Sequence, residues 1–323
     1  RRRDCQPASA PLRLVFSAMS FPPKSDLWHV GLAPAPLQTF LDPAALPALR
    51  ARLVWLPDPG PWRYLADPFG VRRGDTTHVF VEAYDYRTKH AVIEHHAFDA
   101  TLAWQGKSVA LEQSVHLSYP FLLEHGGETF MVPETCRAGE IALFRPRDFP
   151  HGWEKETVLL RNLPAADATP VFHDGLWWLF FTLVGERGRD RRELHAAYAD
   201  ALTGPWHLHG QSPALIDPSG ARPGGTPFVD ATGALVLPVQ DCRGTYGAAM
   251  RFLRFSTLNP KEIRCAHLDA RVTGDLLSPE RGAGCHTLSA CGDLTLFDAK
   301  RVTRSLGRYA IDLQRQLRRR FGR

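Results

Sequence analysis

Short apolar runs recur along this chain in pairs, each pair divided by a polar turn. Ala66-Asp67-Pro68-Phe69 leads into His78-Val79-Phe80-Val81-Glu82, and Ser118-Tyr119-Pro120-Phe121 into Phe130-Met131-Val132-Pro133-Glu134. Ala168-Thr169-Pro170-Val171 leads into Trp177-Trp178-Leu179-Phe180-Phe181, and Gly225-Thr226-Pro227-Phe228 into Leu235-Val236-Leu237-Pro238. A fifth copy, Cys285-His286-Thr287-Leu288 into Leu294-Thr295-Leu296-Phe297, lacks the proline. Taking Asp67, Tyr119, Thr169, Thr226 and His286 as anchors, the steps are 52, 50, 57 and 60 residues. Each pair encloses a Gly- or Asp-bearing turn such as Gly126-Gly127 or Asp174-Gly175, which reads as a hairpin. A third strand usually follows, as at His90 to Phe98 and Ala248 to Phe255. Short strands repeated five times at this period predict an all-β fold, a five-bladed β-propeller spanning residues 51–300. The competing architecture, a two-sheet β-sandwich, gives no reason for the regular period.

The flanks have a different character. Residues 1–50 are rich in Pro and Ala with strand-like pieces at Leu12 to Phe16 and Trp28 to Val30, and they predict an N-terminal strap that closes the ring. Residues 301–323 predict a short basic helix, because Leu306, Tyr309, Leu313, Leu317 and Phe321 recur at helical spacing.

Composition excludes a disordered or collagen-like chain, since 44% of the 323 residues are hydrophobic. The 26 prolines argue against a mainly helical protein. The net charge of +5 is uneven: residues 300–323 carry nine Lys/Arg against Asp312, a net of +8, which leaves −3 for the rest. A near-neutral body with a basic tail excludes a nucleic-acid-binding body and suggests contact of the tail with an anionic membrane surface. A solvated helix is the plainer alternative. No run of about 18 apolar residues predicts a membrane span, and no signal peptide is visible. The six cysteines are scattered without a C-x-x-C pair, so they read as reduced thiols in a cytoplasmic protein, peripheral to the inner membrane face.

Candidate chemistry follows from the ring. The start of each innermost strand and the end of the next are neighbours at one channel mouth. Fifteen residues beyond the anchors lie Glu82, Glu134, Val184, Asp241 and Arg301. Asp67, Glu82, Glu134 and Asp241 are thus expected at one end of the channel, with Asp85, Asp167 and His286 close by. Glycoside cleavage needs a protonated carboxyl and an ionised one, and crowded acids supply both. The bland alternative makes these acids partners of Arg63 and Arg243, or caps of turns. Glu94-His95-His96 and the pair His207 and His209 lack a third ligand, so no metal is expected, and no cofactor either.

With those residues in place, a resemblance emerges. Ala66-Asp67-Pro68-Phe69, His116-Leu117-Ser118-Tyr119-Pro120-Phe121, Val132-Pro133-Glu134-Thr135, Asp167-Ala168-Thr169-Pro170, Pro238-Val239-Gln240-Asp241-Cys242 and His286-Thr287-Leu288 resemble the N-terminal domain of the glucosamine inositolphosphorylceramide transferase family. The hairpins also look like the propellers of the glycoside hydrolase family 43 superfamily. That likeness implies Asp67 as the general base. The acidic positions of its second and third blades fall here on Tyr119 and Asp167-Ala168-Thr169, so Glu134 is the candidate acid. The expectation is a carbohydrate-active, glycoside hydrolase-like propeller acting on a glycan or glycolipid intermediate of surface polysaccharide metabolism. Asp67, Glu134 and Asp241 are the catalytic candidates, and Glu82, Tyr119, Asp167, Thr169, Arg243 and His286 the substrate-binding ones. The alternative is a non-catalytic glycan-binding or scaffold module accompanying a sugar transferase.

Overall fold

The computed structural model describes residues 22–185 and 188–321, with side chains through Leu317. It divides into two compact units: Asp26–Val302, and a small one holding Thr303–Arg323 with the residues up to Ser25.

The large unit is a five-bladed propeller. Blade one orders Arg63–Arg73, Thr76–Asp85, His90–Phe98 and Trp104–Leu111 from inside out. Blade two repeats this with Ser118–His125, Glu128–Glu134, Glu140–Asp148 and His151–Arg161. Blade three is built on Ala165–His173, Leu176–Leu183 and Glu193–Ala199, and blade four on Arg222–Pro223, Leu235–Asp241, Ala249–Asn259 and Glu262–His267. All these neighbours pair antiparallel, as hairpins with short turns require. The Asp174-Gly175 turn has φ of 48° and 81°, the paired positive values that match the twist of flanking strands.

The last blade joins both ends of the chain. Leu288–Cys291 and Leu294–Arg304 are followed outward by Lys24–Ala33 and Val54–Trp55. The predicted closing strand at Trp28 to Val30 therefore lies within Lys24–Ala33, while Leu12 to Phe16 falls outside the described residues. Closure of this kind covers the apolar faces that the first and last blades of an open array would expose. Between blades the core is apolar: Phe69, Phe121, Leu143 and Phe181 pack in one buried cluster, and Leu37, Phe40, Phe252 and Phe297 in another.

The small unit carries the predicted C-terminal helix, Gly307–Phe321. Its start is tied down by Ser305 N–H donating to Pro23 O at 3.3 Å and by Arg308 Nη1 donating to Ser25 Oγ at 3.1 Å. No helix among the described residues is long and apolar enough to cross a membrane.

Candidate functional site

The site begins with a backbone irregularity repeated in three blades. In blade one the pairing runs Ala66 with Glu82 and then Phe69 with Phe80, so Asp67 and Pro68 bulge out. Ser118 pairs with Glu134 and Phe121 with Val132, bulging Tyr119 and Pro120; Ala166 pairs with Thr182 and Thr169 with Phe180, bulging Asp167 and Ala168. The first bulged residue is left-handed each time, with φ of 50° at Asp67, 43° at Tyr119 and 52° at Asp167. Aspartate tolerates this region; tyrosine pays strain there, which surrounding contacts must over-determine. Those contacts exist. The Tyr119 hydroxyl accepts from Gly225 N–H at 2.8 Å and shares a 2.9 Å hydrogen bond with Thr169 Oγ1. Both side chains are fully buried, so they tie blades two, three and four together.

Around this hub lie two polar clusters. In the first, Asp67 accepts from Thr287 Oγ1 at 2.8 Å and from Tyr119 N–H at 3.3 Å. His286 Nε2 is 3.4 Å from Asp67 Oδ1, and its Nδ1 is 2.6 Å from Asp298 Oδ2. Asp298 is anchored in turn by the N–H groups of His286 and Thr287, at 2.9 and 3.1 Å. Trp28 stacks on the imidazole with centroids 3.8 Å apart, and Tyr246 meets it edge-on at 5.3 Å. In the second cluster Arg222 clamps Asp167 through Nε at 2.6 Å and Nη2 at 3.1 Å, a fork matching a carboxylate. Gln240 Nε2 adds a bond to Asp167 at 2.7 Å, and Arg222 Nη2 lies 4.0 Å from Glu134 Oε2.

Electrostatics separate the acids. Burial raises Glu134, and repulsion from Asp167 adds to it, so its carboxyl is pushed up to about 8 although Arg222 pulls the other way. Burial raises Asp67 only to about 6, because His286 favours its ionised form. Glu82 is raised well above the carboxylate range by burial and by the charges of Asp67 and Glu134. Tyr64 donates to Glu82 at 3.3 Å. His116 lies 3.4 Å from Glu82 Oε1, but burial depresses its pKa to about 4, so the imidazole brings no positive charge to Glu82 at neutral pH. For His286 burial lowers the pKa, yet Asp298 and Asp67 outweigh it and the net shift is upward.

Of the residues singled out from the sequence, Asp67, Glu82, Tyr119, Glu134, Asp167, Thr169 and His286 come together here. Asp241 and Arg243 do not. Asp241 is buried but paired with Arg243 Nη2 at 2.7 Å and Arg271 Nε at 3.2 Å. Blade four shows why: Arg222 pairs with Gln240 as Ala66 pairs with Glu82, so Gln240 occupies the inward position and Asp241 the opposite face. Asp85 is likewise held by Arg63 and Arg87, at 3.2 and 2.6 Å. Sequence reasoning missed Arg222, Gln240, Asp298 and Trp28 as site residues, whereas Tyr246 is among the aromatics near the anchors that suit stacking on a sugar ring. Arg222 had a readable signal, an arginine opening an inner strand two residues before Gly224-Gly225.

Asp67, His286 and Asp298 also bring ligand atoms within 4.8 Å of one another, a donor set that suits a cation. Most of those atoms already serve Thr287, backbone amides and each other. An ion there would replace the imidazole–carboxylate contacts.

The model of the glucosamine inositolphosphorylceramide transferase 1 N-terminal family matches residues 43–282. The chain belongs to this family. The matched span carries Asp67, Glu82, Tyr119, Glu134, Asp167, Arg222 and Gln240; Trp28, His286 and Asp298 lie outside it. Among curated proteins, glucosamine inositolphosphorylceramide transferase 1 of Oryza sativa subsp. indica is 36% identical over 208 residues, covering 63% of this chain and 28% of its own. The Arabidopsis thaliana protein of the same name is 30% identical over 245 residues, covering 69% and 32%. The chain thus spans less than a third of these relatives' length. Among solved structures, the α-L-arabinofuranosidase PaAbf62A of Podospora anserina superposes with a TM-score of 0.51 at 12% identity, over 72% of this chain and 78% of that one. The family 62 α-L-arabinofuranosidase of Coprinopsis cinerea gives the same TM-score, identity and coverage. At that identity the likeness extends to the fold alone. Family and fold together mark a carbohydrate-related propeller.

Proposed function

We propose that the channel mouth binds a glycan or glycolipid intermediate of surface polysaccharide metabolism, at the cytoplasmic membrane face, and breaks a glycosidic bond in it. Glu134 is the general acid and Asp67 the base or nucleophile. The observation that carries this reading is the separation of two neighbouring carboxyls, one raised to about 8 and the other to about 6. At neutral pH the first keeps its proton and the second is mostly ionised, the division of labour that glycoside cleavage needs. The Glu134 side chain is also more accessible than those of the neighbouring acids, 11% exposed against 7% for Asp67, 6% for Glu82 and 4% for Asp167. In the hydrolytic form of the reaction, Glu134 protonates the leaving oxygen while its bond to the anomeric carbon breaks. In the direct route water adds to that carbon and gives its proton to Asp67. In the covalent route Asp67 adds first, and water then displaces it, giving its proton to the Glu134 carboxylate and releasing Asp67 ionised. Arg222, Glu82 and Tyr246 grip hydroxyls. The relatives' name supports a sugar-bearing sphingolipid as one substrate class.

One observation favours the alternative, a binding module accompanying a sugar transferase. Asp67 already takes hydrogen bonds from Thr287 and Tyr119 and lies against His286. Aryl glycosides and surface-polysaccharide fragments, tested with wild type, Asp67→Asn and Glu134→Gln, separate the two. Turnover by wild type, lowered about 10²-fold or more by either variant with binding retained, is the expected result. Equal glycan binding by all three proteins without turnover would leave the binding module.

A further inference from the structure

The C-terminal helix is built inside out. Leu306, Ala310, Leu313 and Leu317 fall within a narrow arc at helical spacing, and Leu306, Leu313 and Leu317 are 57%, 57% and 47% exposed. The arginines behave in the opposite way. Arg308 and Arg315 are only 12% and 11% exposed, folded onto Asp312 from both sides. Arg308 also reaches Ser25. A helix whose leucines face water while Arg308 and Arg315 are held on Asp312 leaves an apolar stripe to be covered.

Charge decides what covers it. Residues 300–323 hold nine Lys/Arg and one acid, and Arg318, Arg319, Arg320 and Arg323 follow the leucine stripe directly. A second copy would bring two such segments together, each with a net charge of +8, and like charges so close repel. An anionic bilayer satisfies both features, with headgroups for the guanidiniums and acyl chains for the leucines. We infer that Leu306, Ala310, Leu313 and Leu317 form an interfacial face that docks the protein on a membrane rich in anionic phospholipid.

The test uses the whole chain and vesicles of two compositions, phosphatidylcholine alone and phosphatidylcholine with about 30% phosphatidylserine. Co-sedimentation with the anionic vesicles, weakened at high salt and at least about tenfold weaker in the double variant Leu313→Glu/Leu317→Glu, is expected. Both substitutions sit at exposed positions, so an unchanged thermal melt shows that the variant is folded. A milder pair, Leu313→Ser/Leu317→Ser, gives a second measurement if the glutamates perturb the helix. Absence of sedimentation, equal binding to both vesicles, or binding insensitive to the two leucines overturns the inference. So does a dimer in solution that the double variant converts to monomer without any lipid binding.

Discussion

Glu134 and Arg222 show how single residues set the behaviour of this site. A carboxyl raised from 4.5 to about 8 binds its proton more tightly in the folded state than in the unfolded one. Between those values unfolding releases a proton, so the Glu134 contribution to stability is present at low pH and is lost as pH rises through 8. Glu134→Gln removes that dependence. Its melting temperature, measured from pH 5 to 9, should fall less with rising pH than that of wild type, and the gap should be widest at pH 9. Parallel curves would contradict the protonated state assigned to Glu134. Arg222 tests the opposite case, a charge held by a partner. Arg222→Met leaves Asp167 buried without its guanidinium, and denaturant unfolding should show a loss of about 3–5 kcal/mol. Adding Asp167→Asn should recover part of that loss. At this scale the sequence revealed the acids but not their partners. Carboxylates recur in register with the anchors, whereas Arg222, Gln240 and Asp298 fall outside that register, and only folding brings them across blades.

Among the elements, the bulge is the informative unit. Proline aligned the repeats correctly in blades one and two, where Asp67 and Tyr119 directly precede Pro68 and Pro120. In blade three the equivalent of Asp67 is Asp167, two residues before the chosen Thr169, because Ala168 takes the place of proline in the bulge. The physical marker is therefore a left-handed residue, which composition does not announce. In blade four the same dependence on proline displaced the inward position by one residue, from Gln240 to Asp241. The hub that the bulges create is testable. Tyr119→Phe leaves Gly225 N–H and Thr169 Oγ1 without their central partner in a buried place. Unfolding should show a loss of about 1–3 kcal/mol with near-native circular dichroism. Gly225→Ala should cost more, since a Cβ there would lie 1.7 Å from Leu288 O. A Gly225→Ala protein as stable as wild type would mean that the inner strands of blades four and five are not held so close.

For the molecule as a whole, the period in the sequence and the closed ring have the same origin. Each blade buries only part of its apolar surface by itself, so five copies must stack and the last must meet the first. The number of blades was legible because each repeat keeps its hairpin. The identity of the closing strand was only half legible, since Trp28 to Val30 is one short apolar piece among prolines. A chain beginning at Pro34 lacks that strand and is expected to lose cooperative unfolding and expose apolar surface, measured by a melt followed with a hydrophobic dye. A sharp, wild-type-like transition would show that the ring does not need it.

Trp28 gives this closure a temporal meaning. It precedes the first blade, yet it stacks on His286, whose partner Asp298 lies on the second strand of the final hairpin. During synthesis the tryptophan leaves the ribosome with more than 250 residues still to follow. The imidazole half of the site is therefore completed only after the final hairpin emerges, and a stalled or prematurely terminated product carries the acids of blades one to three without it.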